Sequence, residues 1–164
     1  MLDLQTLKTE LVTDPVGRGY SGMSASAAAA SLMSVDRQVR RLVPNWQLKQ
    51  TVIEIGVWGP VVLIAAGTLP PAMQALPEAD QFAIRALCVS VRDWIDDRTG
   101  QIQHTDMGLP STQSMLAGLV AAGLVTSPQA AGLDALADAT ISRAEELGLG
   151  VVEARDVRDA RSLA

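Results

Sequence analysis

Aromatic residues are rare in this sequence. Only 3% of its 164 residues are Phe, Trp or Tyr, whereas 48% are hydrophobic. The core must therefore be built from Ala, Leu, Val, Ile and Met, and a high density of small aliphatic residues favours helix packing over a β-sandwich. We predict an all-α fold, a compact bundle of about six to seven short helices joined by Pro/Gly corners. The length indicates a single helical domain, 1–164, in which 1–23 could form an N-terminal packing arm.

Cysteine and histidine occur once each, which limits the available chemistry. No disulfide can form within the chain, and no zinc-ligand spacing exists. Cys88 lies in the apolar segment "RALCVSV", where we expect a small buried hydrophobe. His104 lies in a polar segment two residues before Asp106, without a Gly-x-Ser-x-Gly motif. We expect a solvated loop histidine and no catalytic residue.

Acidic residues crowd one polar segment, "DWIDDRTGQIQHTD". Carboxylates can bind Mg²⁺ or Ca²⁺, but the EF-hand spacing is absent. Neighbouring arginines supply counter-charges, so a solvated helix end is the favoured interpretation. We predict no metal site and no cofactor. The four aspartates concerned are Asp93, Asp96, Asp97 and Asp106.

The charge balance argues against nucleic acid as a partner. The formal net charge is −5, and affinity for nucleic acid comes mostly from Lys and Arg that neutralise phosphates. The N-terminal sequence "MLDLQTLKTE" lacks the apolar centre of a signal peptide. The most apolar stretch, residues 55–66, is shorter than the roughly 20 residues of a membrane span. We expect no membrane span and synthesis in a cytoplasm.

The first third of the sequence predicts two helices and a long continuation. Leucines at three- and four-residue spacing predict a helix over 2–12, which Asp14-Pro15 ends. Ser24 is a good N-cap for an Ala-rich helix over 25–33. The following "SVDRQVRRLV" is predicted to continue that helix. Its apolar side would carry Val35, Val39 and Leu42, and another side would carry Arg37, Arg40 and Arg41.

The rest of the chain predicts further short helices. Asn45 is predicted to cap a helix over 46–55, whereas periodicity leaves the type of 61–66 open. The helix over 78–96 is the best core candidate, and 98–110 could be a hairpin or an irregular loop. Further helices are predicted over 111–120, from the N-cap Ser127 to about 139, from the capping box of Ser142 and Glu145 to Gly148, and near the C-terminus. The apolar residues expected to make 78–96 a core helix are Phe82, Leu87, Val89, Val91 and Trp94.

"GRGYSG" could form a ligand-binding loop or a corner. A phosphate-binding fingerprint needs glycines between a strand and a helix, and here a predicted helix precedes them. The favoured interpretation is a corner in which Gly17 and Gly19 take positive φ angles. Tyr20 would pack its ring over that corner. Any further role of Arg18 or Tyr20 would be contact with a neighbouring subunit.

Two other groups are interface candidates. Arg37, Arg40 and Arg41 could bind phosphate or pair with an acidic partner surface, and a solvated face is the favoured interpretation. Trp58, in the corner "GVWGP", could be partly exposed for contact with a partner, since tryptophan is enriched in binding hot spots. It could equally plug its own corner.

Two segments resemble a known group of proteins when taken together. They are "LKTELVTDPVGRGYSGMSASAAAASLMS" over 7–34 and "SRAEELGLGVVEARDVRDAR" over 142–161. The pair resembles small, mostly uncharacterised structural proteins of the tail region of tailed bacteriophages. Those proteins carry Asp-Pro and Gly-Tyr-x-Gly before an Ala-rich helix, and Ser-Arg-Ala-Glu-Glu-Leu-Gly near the C-terminus. The resemblance does not extend over 46–125.

The resemblance implies a virion structural protein that acts through subunit contacts. It would be associated with the tail or the tail fibres, form a homo-oligomer, bind other phage structural proteins, and be made in the bacterial host cytoplasm. It supplies no catalytic residue. The alternatives are an assembly chaperone or host-interaction module outside the virion and, less favoured, a small hydrolase that uses His104 with Asp106.

Overall fold

The computed structural model of the chain describes residues 2–96 and 103–163. They form two compact units. Unit 1 consists of residues 2–39 and 139–163, and unit 2 is Arg40–Asp138, so unit 2 is inserted between the two segments of unit 1. Leu7, Leu11 and Tyr20, from the stretch considered as an arm, are buried in the core of unit 1. The expectation of a single domain stays a prediction.

Helices dominate the described residues, which confirms the predicted helical character. The finer prediction is wrong, because ten α-helices and four short strands are present there rather than six or seven helices alone. The helices are α1 (Leu4–Thr13), α2 (Ala25–Met33), α3 (Asn45–Glu54), α4 (Trp58–Ala65), α5 (Pro71–Gln74), α6 (Glu78–Ile95), α7 (Pro110–Ala121), α8 (Ser127–Asp134), α9 (Arg143–Glu146) and α10 (Ala154–Ser162). The strands are β1 (Val35–Arg40), β2 (Val43–Pro44), β3 (His104–Thr105) and β4 (Asp138–Ser142).

Unit 1 is built from α1, α2 and α10, with α9 against α2. The alanine-rich α2 buries Ala28 and Ala29, and α10 buries Ala160. Side chains this small allow helices to approach closely. The Ser24 hydroxyl accepts a hydrogen bond from the Ala27 N–H at 3.1 Å, and the Ser142 hydroxyl accepts one from the Glu145 N–H at 3.1 Å. Ser24 and Ser142 are confirmed as N-caps, and the helices lie close to the predicted ranges.

The predicted continuation of α2 is wrong. Ser34 has an extended backbone, and Val35–Arg40 forms β1, which pairs with β4. Arg37 and Val39 are half-buried while Asp36, Gln38 and Arg40 are exposed, which is the two-residue alternation of a strand. Val35 and Val39 also fit a four-residue helical spacing, so the local pattern was ambiguous.

Unit 2 has an aliphatic core. Helix α4 packs against α6, and α3, α7 and α8 complete the surroundings. Val61 and Ile64 on α4 are fully buried, so the segment whose type periodicity left open is a core helix. Cys88 is also fully buried, as predicted.

Three other predictions for unit 2 are wrong. Asn45 does not cap α3, because Pro44 occupies the N-cap and the buried Asn45 amide serves tertiary hydrogen bonds. Helix α8 ends at Asp134, and its capping box uses Thr126 rather than Ser127. Phe82 is exposed, because the buried face of α6 lies in its second half.

Part of the polar segment 98–110 pairs with β2. Val43 lies opposite Thr105 and Pro44 opposite His104 in the antiparallel pair of β2 and β3. The Thr105 hydroxyl donates a hydrogen bond to Asn45 Oδ1 at 2.7 Å in the interior. Asp97 lies outside the described residues.

No helix in the described part of the chain can by itself span a membrane. The bent pair α3 and α4 meets the requirement only when both helices are counted together, by length and composition.

Candidate functional site

The two segments that carry the sequence resemblance meet inside unit 1. Glu10 lies on α1 and Arg143 opens α9. Arg143 Nε donates to Glu10 Oε1 at 2.9 Å and Nη2 donates to Oε2 at 2.7 Å. Glu10 is only 3% exposed and the Arg143 side chain only 12%. A bidentate, buried charge pair therefore joins residues 133 positions apart.

The pair continues into a short charged network. Arg143 Nη1 lies 2.9 Å from Glu146 Oε2, and Arg37 Nε donates to the same oxygen at 3.0 Å. The hydrogen bonds from Arg37 and Arg143 hold the pKa of the Glu146 carboxyl below its usual value. The hydrogen bond with Glu10 raises the pKa of Arg143. Arg37 thus pairs within unit 1, from a strand.

The Gly-rich segment after α1 is a corner. Asp14 has a left-handed backbone with φ of 43°. Its carboxylate accepts hydrogen bonds from the Arg18 N–H at 2.8 Å and from the Gly19 N–H at 2.6 Å. Gly17 and Gly19 have φ of 68° and 78°, so the predicted positive φ angles are confirmed.

Arg18 and Tyr20 both point into contacts within unit 1. The Arg18 guanidinium donates to the Ser31 carbonyl and to the Asp36 carboxylate. Tyr20 is fully buried, and its hydroxyl finds no hydrogen-bond partner among residues 2–96 and 103–163. Burial raises the pKa of Tyr20 to about 12. Contact of either side chain with a neighbouring subunit stays a prediction.

The C-terminal helix fastens this corner. Arg161 Nη2 donates to the Tyr20 carbonyl at 2.7 Å, and Nη1 donates to the Met23 carbonyl at 3.1 Å. Two residues therefore stabilise the corner. The Asp14 carboxylate accepts hydrogen bonds from its N–H groups, and Arg161, from the other matched segment, donates to its carbonyl groups.

The remaining arginine candidates lie in unit 2. Arg40 contacts Asp134 at 2.7 Å and Asp138 at 3.4 Å, and its hydrogen bond holds the pKa of the Asp134 carboxyl below its usual value. The Arg41 side chain is exposed, and its N–H donates to the Ala137 carbonyl at 2.8 Å. The predicted helical patch is wrong in its geometry, because these arginines do not share a helix face.

Trp58 is half-buried at the start of α4. Its ring packs against the core of unit 2, and the Lys49 ammonium lies 5.3 Å from the ring centre. This distance permits a cation–π contact. Trp46, which the sequence did not single out as an interface candidate, is far more exposed, at 68%.

The structure shows no hydrogen bond between His104 and Asp106 in the described ranges. His104 is exposed in β3, and Asp106 Oδ1 accepts from the Gly108 N–H at 2.8 Å to close a turn. Burial raises the pKa of the Cys88 thiol to about 11. In the described ranges no group of three or more His, Cys, Asp or Glu side chains could hold a metal ion.

Sequence reasoning missed Glu10, Arg143 and Arg161. One signal was available: Glu10 lies between Leu7 and Leu11 on the apolar face of α1, and a buried carboxylate requires a partner. The identity of that partner was not readable, because Arg143 is remote in sequence.

No family model, curated protein or solved structure matches this chain.

Proposed function

We propose that this chain is a structural component of tailed-bacteriophage particles, associated with the tail or its fibres and working through contacts between subunits. The supporting observation is that the two segments that resemble phage tail-region proteins form one unit. They are joined there by the Glu10–Arg143 pair and by Arg161. The packing of these segments against each other is consistent with a resemblance to one folding module, and this supports the proposal.

The inserted unit fits the same proposal. Residues 46–125, which the resemblance does not cover, all belong to unit 2. Inserted segments that vary on a constant scaffold commonly carry the specific contacts of a protein. In this view unit 1 is the shared module, and unit 2 supplies contacts particular to this chain, including contacts with further copies.

Mass spectrometry of purified particles tests this function. Particles of a phage that encodes the chain should contain its peptides at a constant ratio to a known tail protein across a density gradient. Host ribosomal proteins serve as the control, because contaminants decline relative to tail protein with each purification step. Presence in the infected-cell lysate but absence from particles would overturn the proposal and favour an assembly chaperone or host-interaction module.

A further inference from the structure

The first half of α6 lies largely outside the core of unit 2. Helix α6 runs from Glu78 to Ile95, but its fully buried residues, Cys88, Val91 and Ile95, all belong to the second half. The helix therefore continues beyond the part that its neighbours cover.

This half of α6 carries an exposed apolar stripe. Ala79, Phe82, Ala83 and Ala86 follow the spacing i, i+3, i+4 and i+7, and all four are exposed. Residues at this spacing share one helix face. Phe82 is 73% exposed, and the alanines around it would let another helix approach closely. We call these four residues the Phe82 stripe.

Opposite charges flank the stripe on one side. Glu78 and Arg85 are seven residues apart, two helical turns, and so lie on the same flank. Within the described part of the chain neither side chain has a hydrogen-bond or ion-pair partner. The two charges are symmetric about a point between Gln81 and Phe82.

We propose that the Phe82 stripe binds the same stripe of a second copy of this chain, with the two helices antiparallel. A two-fold axis between Gln81 and Phe82 brings Glu78 of each copy opposite Arg85 of the other. Closed two-fold contacts use one surface twice in this way. The charge arrangement selects a second copy as the occupant, because the same two residues satisfy both ion pairs.

Further apolar surface lies on the side of the stripe away from Glu78 and Arg85. An open apolar groove runs beside the stripe, lined by Leu76, Ala83, Ile84, Leu87 and Ala121. Contact between the two stripes would cover Ala83, which forms one edge of this groove, whereas the partner's Phe82 ring would lie on the side of Glu78 and Arg85. Both copies then lose apolar surface from water, which supplies the favourable free energy.

The contact is small, so the dimer is weak in solution. The exposed half-helix spans nine residues, or about 13 Å, and stable interfaces bury about 800 Å² on each partner. The contact gains strength where other interactions already hold the copies side by side, because binding is then intramolecular. In this respect the inference rests on the proposed assembly role.

Charge reversal gives the decisive test. Sedimentation of the full chain from about 1 µM to about 500 µM should show a reversible monomer–dimer equilibrium. Glu78→Arg and Arg85→Glu should each weaken dimerisation about tenfold, because like charges then face each other. The double variant should restore it. A wild-type chain that stays monomeric, or a double variant without rescue, overturns the proposal.

Disulfide trapping tests the position of the axis. Under mild oxidation Phe82→Cys should form a covalent dimer, because the residue lies next to the two-fold axis. Val12→Cys is the matched control, since Val12 is 74% exposed but lies on α1. The native Cys88 is fully buried. Equal trapping of both variants contradicts the proposal, as does trapping of the control alone.

The two proposals fail in different assays. A chain found in particles that remains monomeric, without charge rescue, refutes the stripe contact but keeps the structural role. A chain that dimerises with rescue but is absent from particles refutes the virion assignment and keeps the contact.

Discussion

Unit 1 buries a carboxylate, whereas the buried polar side chains described in unit 2, Asn45, Thr105 and Thr112, are uncharged. Unit 1 holds its two remote segments together with Glu10, Arg143 and Arg161. Unit 2 relies on aliphatic packing around Val61 and Ile64. Unit 1 therefore combines an aliphatic core with a buried charge pair, whereas the described buried side chains of unit 2 are apolar or neutral.

The two units also differ in the size of the hydrophobic side chains that they expose to solvent. The large hydrophobic side chains exposed on unit 1 are valines. Those on unit 2 are larger and include Trp46 and Phe82. Large exposed apolar side chains are typical of contact surfaces. The proposed contact through Phe82 therefore lies on the unit with the larger exposed apolar side chains.

The largest effect in unit 1 is expected from Glu10→Ala. It leaves the largely buried Arg143 with Glu146 as its remaining partner and should lower the free energy of unfolding by about 3 kcal/mol. Chemical denaturation followed by circular dichroism measures this loss. Asp159→Ala, an exposed change in the same unit, should stay within about 0.5 kcal/mol. If the two substitutions lowered the free energy of unfolding equally, the Glu10–Arg143 pair would not contribute specially to the stability of unit 1.

The matching test in unit 2 is Ile64→Ala. Removal of this fully buried side chain should cost about 2 to 5 kcal/mol, because a cavity is left in the core. Tryptophan fluorescence follows the loss, since Trp46, Trp58 and Trp94 all lie in unit 2. Alkylation of the buried Cys88 should also become faster as the unit opens more often. Leu63→Ala, on the exposed face of the same helix, is the control and should change neither signal appreciably.

A smaller effect is expected at the corner of unit 1. Gly19→Val places a β-branched residue at φ of 78° and should cost about 1 to 2 kcal/mol. No atom lies within 4 Å of the added Cβ, so the cost is backbone strain rather than a clash. Gly22→Val, where φ is not positive and space is also free, should cost less. A wild-type melting temperature for Gly19→Val would contradict this account of the corner.

The smallest effects should differ in sign between the units. Tyr20→Phe removes a buried hydroxyl without a described partner, so we expect a gain of about 1 kcal/mol. Thr105→Val removes a hydroxyl that donates to Asn45, so we expect a loss of about 1 to 2 kcal/mol. Calorimetric melting temperatures compare the two. Destabilisation by Tyr20→Phe would mean that the hydroxyl is satisfied.

Local signals predicted the elements that carry their own caps. Ser24 and Ser142 begin helices where the sequence places them, because an N-cap acts within three residues. The type of residues 35–40 was wrong because β1 is stabilised by β4, about 100 positions away. A nonlocal partner of this kind leaves no trace in local periodicity.

In the candidate site too, local features could be predicted from the sequence, whereas contacts between remote residues could not. Gly17, Gly19 and the corner could be read from turn chemistry. The role of Asp14 in binding two N–H groups was not anticipated, and Arg143 was not distinguishable from any other surface arginine. Phe82 was predicted to lie in the core because of its helical spacing, but it lies on the surface. Helical spacing alone does not show how far along a helix the buried face extends.

The insertion of unit 2 also sets an order of events during translation. All of unit 2 has been synthesised once residue 138 leaves the ribosome, so it can fold while the chain is still growing. Helix α1 must wait for Arg143 and Arg161, which are synthesised after the whole of unit 2. Until then the Glu10 carboxylate lacks its arginine partner, and α1 lacks its packing against α10. A nascent chain stalled before residue 143 should therefore contain a folded insert and an α1 helix that is still accessible to protease.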